Sequence, residues 1–310
     1  MQNKLTTGLR TAAKDYVTIV EQARNKVMGF TELYEDLERS LNVSGKSKST
    51  LTNYGRHLAH LALHFNQLPT ELDSEQVLDY LHFVKANGTP SASFFKFTVY
   101  GMRAACRLRG FPYQQFSLPS IERPHKLPCV LNSGEVRELI KACNLLKHRL
   151  LLSLCYGCGL RCGEVRNLRI GDIDIERRML HVHQGKGGKD RILPLGDLLC
   201  RGIQKYLEAE HPQTFLFTGN NGEALSQRGA QWVMSQAFRK TGIVKEDVCL
   251  HTLRHTYATH LLEQGINIVT IKELLGHAHI DTTMIYLHLA RPTVNLSFSP
   301  LDTLYSLPAL

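Results

Sequence analysis

The stretch His251-Thr252-Leu253-Arg254-His255, followed by Leu275-Gly276-His277 and by Thr282-Thr283-Met284-Ile285-Tyr286-Leu287-His288, decides the reading of this 310-residue chain. It gathers imidazoles, a guanidinium and a phenol in one short C-terminal region. His251 and Arg254 stand three residues apart, so a helix projects both from one face toward one anion. The phenol follows on the next helix but one. Phosphoryl transfer asks for a clamp on the non-bridging oxygens, a proton donor for the leaving oxygen and a nucleophile in line with it. Arginine suits the clamp because its planar fork stays charged and donates two bonds at once.

A second arginine stands upstream in Gly159-Leu160-Arg161-Cys162-Gly163-Glu164-Val165, where an apolar run from Leu150 meets glycine-punctuated polar residues, as at a helix-to-helix turn. Between the two, Gly185-Lys186-Gly187-Gly188-Lys189-Asp190-Arg191 separates two β-like runs, Met179 to His183 and Arg191 to Leu195, as a hairpin with lysine at its tip. Glu164, three residues after Arg161, is placed to fix that guanidinium and His251, orienting the site rather than reacting. His255 and His260 follow Arg254 on one helix as structural or supporting groups.

The ordered set Arg161, Lys186, His251, Arg254, His277 and Tyr286 resembles the tyrosine recombinase, or phage integrase, superfamily, in its Xer-type and integron-integrase branch. The resemblance covers residues 31 to the C-terminus. It implies a mainly α protein: a helical-bundle N-terminal core-binding domain, then a mixed, mostly helical catalytic domain with a small antiparallel sheet at about 173–195. On that plan residues 1–30 are a helical extension, 31–116 a core-binding, SAM-like DNA-binding domain, 117–129 a linker, and 130–310 the catalytic domain with a C-terminal docking tail. The resemblance also assigns roles. Arg161 and Arg254 bind the scissile phosphate with a hydrogen bond from His277, while Tyr286 attacks to give a 3′-phosphotyrosyl enzyme and a free 5′-hydroxyl. Lys186 protonates the leaving oxygen, and His251 helps remove the phenol proton. No cofactor is required, because the bond energy stays in the covalent intermediate.

The rest of the chain agrees with that reading. A formal charge of +9 favours a polyanionic partner. Helical patterning from Thr31 to Gly110 is broken at Asn42-Val43-Ser44-Gly45, Leu68-Pro69-Thr70 and Asn87-Gly88-Thr89-Pro90, giving four helices. Lys46, Lys48 and Arg56 cluster at one helix start and Lys96, Arg103, Arg107 and Arg109 along another; with Arg228, Arg239 and Lys240 they are the candidate DNA contacts. Residues 1–30 carry a loose amphipathic stripe of Tyr16, Ile19, Val20 and Val27. Three prolines between Ser117 and Pro128 read as an extended linker, letting two domains close round a duplex. Asn132 and Glu135 then make a capping box.

Eight cysteines without a signal-peptide pattern, and no apolar run of spanning length, point to a reducing cytoplasm beside the nucleoid and away from membranes. Cys155, Cys158 and Cys162 read as buried thiols rather than a zinc site, since no second ligand pair stands nearby. No metal is therefore expected. The apolar tail after Ala290-Arg291-Pro292 (Val294, Leu296, Phe298, Leu301, Leu304, Tyr305, Leu307) needs a docking surface, which the resemblance places on a neighbouring protomer of a tetramer. The partner is duplex DNA with inverted half-sites, recombined alone or with a second recombinase or accessory protein. Chromosome resolution, mobile-element integration and transposon movement all fit. Residues 186–251 leave no room for the segment that integron integrases insert there, although Phe298-Ser299-Pro300-Leu301-Asp302 looks integron-like. Two rival readings are a type IB topoisomerase, which reseals the same strand, and a catalytically silent DNA-binding relative, which would lack one of the six residues.

Overall fold

A computed structural model describes residues 17–116, 127–183, 190–219 and 221–290. The chain divides into two units, with the boundary between His125 and Lys126. Lys186, its neighbour Lys189, most of the linker and the tail from Arg291 onward lie outside the described residues.

Among the described residues the first unit is a bundle of five α-helices, α1 (Ile19–Lys26), α2 (Phe30–Val43), α3 (Lys48–Phe65), α4 (Ser74–Ala86) and α5 (Ala92–Leu108), with a 3-10 turn at Pro69–Glu71. Leu68-Pro69-Thr70 and Asn87-Gly88-Thr89-Pro90 fall between helices, while Asn42-Val43-Ser44-Gly45 begins in the last turn of α2 and ends it. Leu33, Leu37 and Leu41 recur at a spacing of four on α2, so one stripe enters the core with Phe30, Leu58, Leu61 and Met102. Gly55 on α3 admits the Tyr34 ring, where a Cβ would come within 2.3 Å of it. The N-terminal segment differs from a separate extension. Thr18 and Glu21 form a capping box at the start of α1, and Ala23 and Val27 are buried in the bundle core. The Ile19/Val20/Val27 stripe thus makes α1 a fifth bundle helix rather than an outlying element; Tyr16 lies outside the described residues.

The second unit contains α6 (Ser133–Lys141), α7 (Leu146–Gly157), α8 (Cys162–Arg166), strands β1 (Ile173–Asp174), β2 (Met179–Val182) and β3 (Arg191–Pro194), then α9 (Asp197–Glu210), α10 (Gln227–Arg239), α11 (Leu250–Glu263), α12 (Ile268–Leu275), α13 (Asp281–Met284) and a 3-10 turn at Ile285–His288. Asn132 and Glu135 cap α6 reciprocally, as the sequence predicts. Helix α7 buries Leu150, Leu151, Leu152, Leu154 and Cys155, and it packs against α9 and α11 as the central helix. The strands form one antiparallel sheet in the order β1-β2-β3, with Val182 paired to Arg191. Among the described residues no helix is long and apolar enough to cross a membrane.

Candidate active site

Two glycine turns of the second unit aim its arginines at one place. After α7 the chain turns through Gly159 at φ +59°, where a Cβ would lie 2.5 Å from the Tyr257 ring, and this turn sets Arg161 as the N-cap of α8. Helix α12 ends at Gly276 in the left-handed conformation at φ +63°, with its last carbonyls unpaired within the helix. Three guanidiniums take those carbonyls in succession. Arg191 Nε donates to Leu274 O at 2.9 Å, Arg254 Nη2 to Leu275 O at 2.5 Å, and Arg161 Nη2 to Gly276 O at 3.4 Å. A helix C-terminus favours cations, so the geometry and the dipole agree.

Glu164 binds the same arginines from the other side. Its carboxylate accepts from Arg161 Nη1 at 2.8 Å and, in a two-toothed pair, from Arg191 Nη1 and Nη2 at 3.0 and 2.8 Å, with Arg254 3.9 Å away. The Glu164 side chain is 7% exposed, and its partners, Arg191 foremost, overcome the cost of burial and hold its pKa at about 2. Three guanidiniums against one carboxylate leave the cluster two charges positive (3 − 1). Burial, then the Arg161 charge, lowers Arg254 to about 10, so it stays protonated near neutrality. Excess positive charge of this kind suits an anion.

Tyr286 stands beside it. Its phenol lies 3.1 Å from His255 Nδ1, its ring runs parallel to that of His277 at 6.5 Å, and the residue is 1% exposed. Burial raises the phenol's pKa, while Arg254 and Arg161 oppose the rise. His277 Nδ1 is 2.9 Å from Thr283 Oγ1, which fixes the ring. Burial lowers His255 to about 4 and His277 to about 3, helped in each case by neighbouring positive groups. Both are neutral at pH 7, and in the tautomer with its hydrogen on Nε2 His255 can receive a proton through Nδ1.

The structure therefore brings Arg161, Glu164, Arg254, His277 and Tyr286 together, with two differences from the sequence reading. His255, and not His251, touches the phenol. His251 instead lies edge-on against the His255 ring, at 4.6 Å, because positions 251 and 255 share a helix stripe and only the second reaches the 3-10 turn. Glu164 spends its second interaction on Arg191 rather than on His251, and Arg191 is the site residue that sequence reasoning missed. Tyr257, the rival phenol, packs over Gly159 in the core. Cys155 and Cys158 are buried thiols whose pKa values burial pushes up, Cys158 to about 12. His260 Nδ1 meets the Tyr156 hydroxyl at 2.9 Å, a structural role.

The DNA-contact candidates divide. Lys46, Arg103 and Arg107 line one shallow groove of the first unit with Tyr54 and Tyr100. Arg103 donates to Phe116 O at 2.6 Å within the bundle, and Arg109 pairs with Asp36 at 3.2 Å on its exposed surface. Lys96 lies 5.9 Å over the Tyr100 ring. Lys48 and Arg56 are exposed, as are Arg228, Arg239 and Lys240 in the second unit.

Acid should loosen this site early. An imidazole held below its ordinary 6.5 leaves the folded state binding fewer protons than the unfolded chain, so its stabilisation is present above pH 6.5 and is lost as pH falls toward 4. Glu164 adds stability above 4.5 that is lost only on the way down to about 2. A His255→Gln/His277→Gln variant escapes the first loss. Its stability deficit against the parent, read by urea unfolding, should shrink between pH 7.5 and pH 5; a deficit that stays constant contradicts this account.

Comparisons with known proteins agree with the geometry. A model of the phage integrase family matches residues 130–292. The chain is 32% identical to tyrosine recombinase XerA of Pyrococcus horikoshii over 260 residues, 83% of this chain and 88% of that protein. It is 29% identical to tyrosine recombinase XerD of Listeria monocytogenes serotype 4b over 286 residues, 84% of this chain and 95% of that protein. Among solved structures, XerH site-specific recombinase bound to palindromic difH substrate in a post-cleavage complex superposes with a TM-score of 0.66 at 20% identity, covering 88% of this chain and 84% of that one.

Proposed function

The chain belongs to the phage integrase family, and from that membership we propose how its residues break and rejoin DNA. It is a site-specific tyrosine recombinase, a DNA strand-transferring enzyme. The observation that carries the assignment of residues is a phenol in contact with a neutral imidazole, beside an arginine cluster with excess positive charge.

A scissile phosphate is the anion that this positive cluster binds. Arg161 and Arg254 each turn a donor from a helix-end carbonyl to a non-bridging oxygen, and His277 adds a hydrogen bond. The buried phenol reaches the phosphorus after the Ile285–His288 turn moves. Tyr286 Oη forms the new P–O bond, its proton passes to His255 backed by His251, and the 5′-bridging oxygen leaves with a proton from Lys186. The 5′-hydroxyl of a partner strand then attacks the phosphotyrosine and reverses the chemistry on a new junction. Glu164 and Arg191 hold the clamp in register and take no part in bond making.

The remaining assignments rest on chemistry and kinship. The substrate is duplex DNA with paired inverted half-sites, which places the enzyme with the bacterial nucleoid in the cytoplasm. It acts as a tetramer, its apolar tail docking on the neighbouring protomer, in Xer-like resolution or in movement of a mobile element, with or without a second recombinase. Resealing of the same strand, as in a type IB topoisomerase, is the alternative; intermolecular strand exchange in a synapsis assay separates the two.

The test uses DNA fragments selected by binding and nicked so that the cut piece diffuses away. The protein should be trapped on a 3′ phosphate, leaving a 5′ end that accepts a label from a kinase without prior dephosphorylation. A trapped 5′ phosphate overturns the polarity. Lys186→Ala should be slow on this DNA and recover when the 5′-bridging oxygen is replaced by sulfur, since a thiolate leaves without a proton. Recovery confined to Lys189→Ala transfers the role to that lysine.

A further inference from the structure

The outer face of the β2–β3 pair carries a cluster that the recombination chemistry does not use. Strand β2 buries Leu180 and Val182, so the alternating positions His181 and His183 project from the opposite face of the sheet. The pairing of Val182 with Arg191 brings Asp190 beside both rings. One oxygen, Asp190 Oδ2, stands 3.5 Å from His181 Nε2 and 3.3 Å from His183 Nδ1, and the two rings are 3.8 Å apart. The other nitrogen of His183, Nε2, lies 3.2 Å from Asp172 Oδ1, a carboxylate only 11% exposed.

We propose that His181, His183 and Asp190 form a binding site for a borderline divalent transition-metal ion, of which zinc is the representative. Ligand atoms about 2.0–2.2 Å from a tetrahedral zinc stand roughly 3.3–3.5 Å from one another, and the two distances to Asp190 match that edge length. Donor type selects the ion: two imidazoles and one carboxylate suit zinc, nickel or copper, whereas magnesium and calcium take oxygen. A fourth side chain, Asp172, supports this donor set. A metal-binding imidazole commonly donates its second ring N–H to a carboxylate, which fixes the tautomer and strengthens the ligating nitrogen. Asp172 Oδ1, 3.2 Å from His183 Nε2, stands close enough to take that bond once a metal holds the ring. Three protein ligands leave the fourth position to water or to a further ligand.

The ion would join residues 181 and 183 to residue 190, tying together the two ends of the chain segment that carries Lys186. Whether it then modulates cleavage rests on the role proposed for that lysine; the site itself does not. Direct binding is therefore the test. The full chain, reduced and freed of metal, is titrated with zinc by calorimetry and its bound metal counted after gel filtration. One saturable equivalent at micromolar zinc is expected. His181→Ala and His183→Ala should each abolish it, and Asp172→Asn should weaken it on the order of 10–100-fold. Both imidazoles are at the surface, so the variants keep the fold, which unchanged thermal unfolding without metal will verify. Undiminished zinc in a His181→Ala/His183→Ala double variant overturns the proposal in favour of thiol binding at Cys129 or Cys249. Absence of saturable binding overturns it in favour of simple imidazole–carboxylate pairs.

Discussion

Tyr286→Phe should bind DNA as the parent does and form no covalent adduct on a nicked duplex. The substitution removes only the oxygen that must join to phosphorus. The ring keeps its place parallel to His277, and the fold loses one hydrogen bond, to His255 at 3.1 Å, costing about 0.5–1.5 kcal/mol. Binding relies on phosphate contacts elsewhere and survives. An adduct formed at the parental rate would remove Tyr286 from the mechanism, and Tyr257→Phe, in the core above Gly159, should leave adduct formation intact. The two imidazoles can be ranked in the same assay. His255→Ala takes away the group in contact with the phenol and should slow attack by about 10²–10⁴-fold. His251→Ala removes the ring behind it and should cost less; the reverse order would return the proton-accepting role to His251.

Much of this site was legible because its parts are local. Glycine beside Arg161, the Leu275-Gly276-His277 helix end and the Asn132/Glu135 cap are each written within a few residues, where backbone conformation is decided. The β2–β3 hairpin was legible for the same reason. Arg191 was not. It reads as the first residue of a strand, and its meaning comes from strand register and from a carboxylate 27 positions earlier, which no spacing rule connects. The contact of His255 with the phenol was hidden for the opposite reason, since its helix position was clear but the turn that carries Tyr286 to it was not. Helix α1 shows the limit of motifs as a guide: a segment that carries none of them still buries Ala23 and Val27 in the bundle because its own stripe is apolar. The His181/His183/Asp190 group likewise needed the pairing of Val182 with Arg191 before three unremarked side chains became one cluster.

The two clamp arginines should fail in different ways. Arg161 is 19% exposed, it donates to Glu164 and, more weakly, to Gly276 O, and Arg191 still satisfies the carboxylate when Arg161 is gone. Arg161→Ala should therefore keep most of its stability while losing a preorganised donor, slowing cleavage about 10²–10³-fold. Arg254 is 1% exposed and holds Gly159 O and Leu275 O together, two buried carbonyls from segments that meet at the site. Its removal strands both, at about 1–3 kcal/mol each, and opens a cavity under the phenol. Arg254→Ala should thus lose activity to at least the same degree and, in addition, several kcal/mol of unfolding free energy. Lysine is no substitute, because one ammonium on a flexible stem cannot span two carbonyls with a planar fork. Arg254→Lys should recover some stability and little cleavage. Urea unfolding and single-turnover cleavage, both measured well below the unfolding temperature, separate the outcomes. Equal stability losses for the two alanine variants would show that Arg254 is not the strut its contacts describe, and full activity in Arg254→Lys would show that charge alone, without the fork, is enough to hold the phosphate.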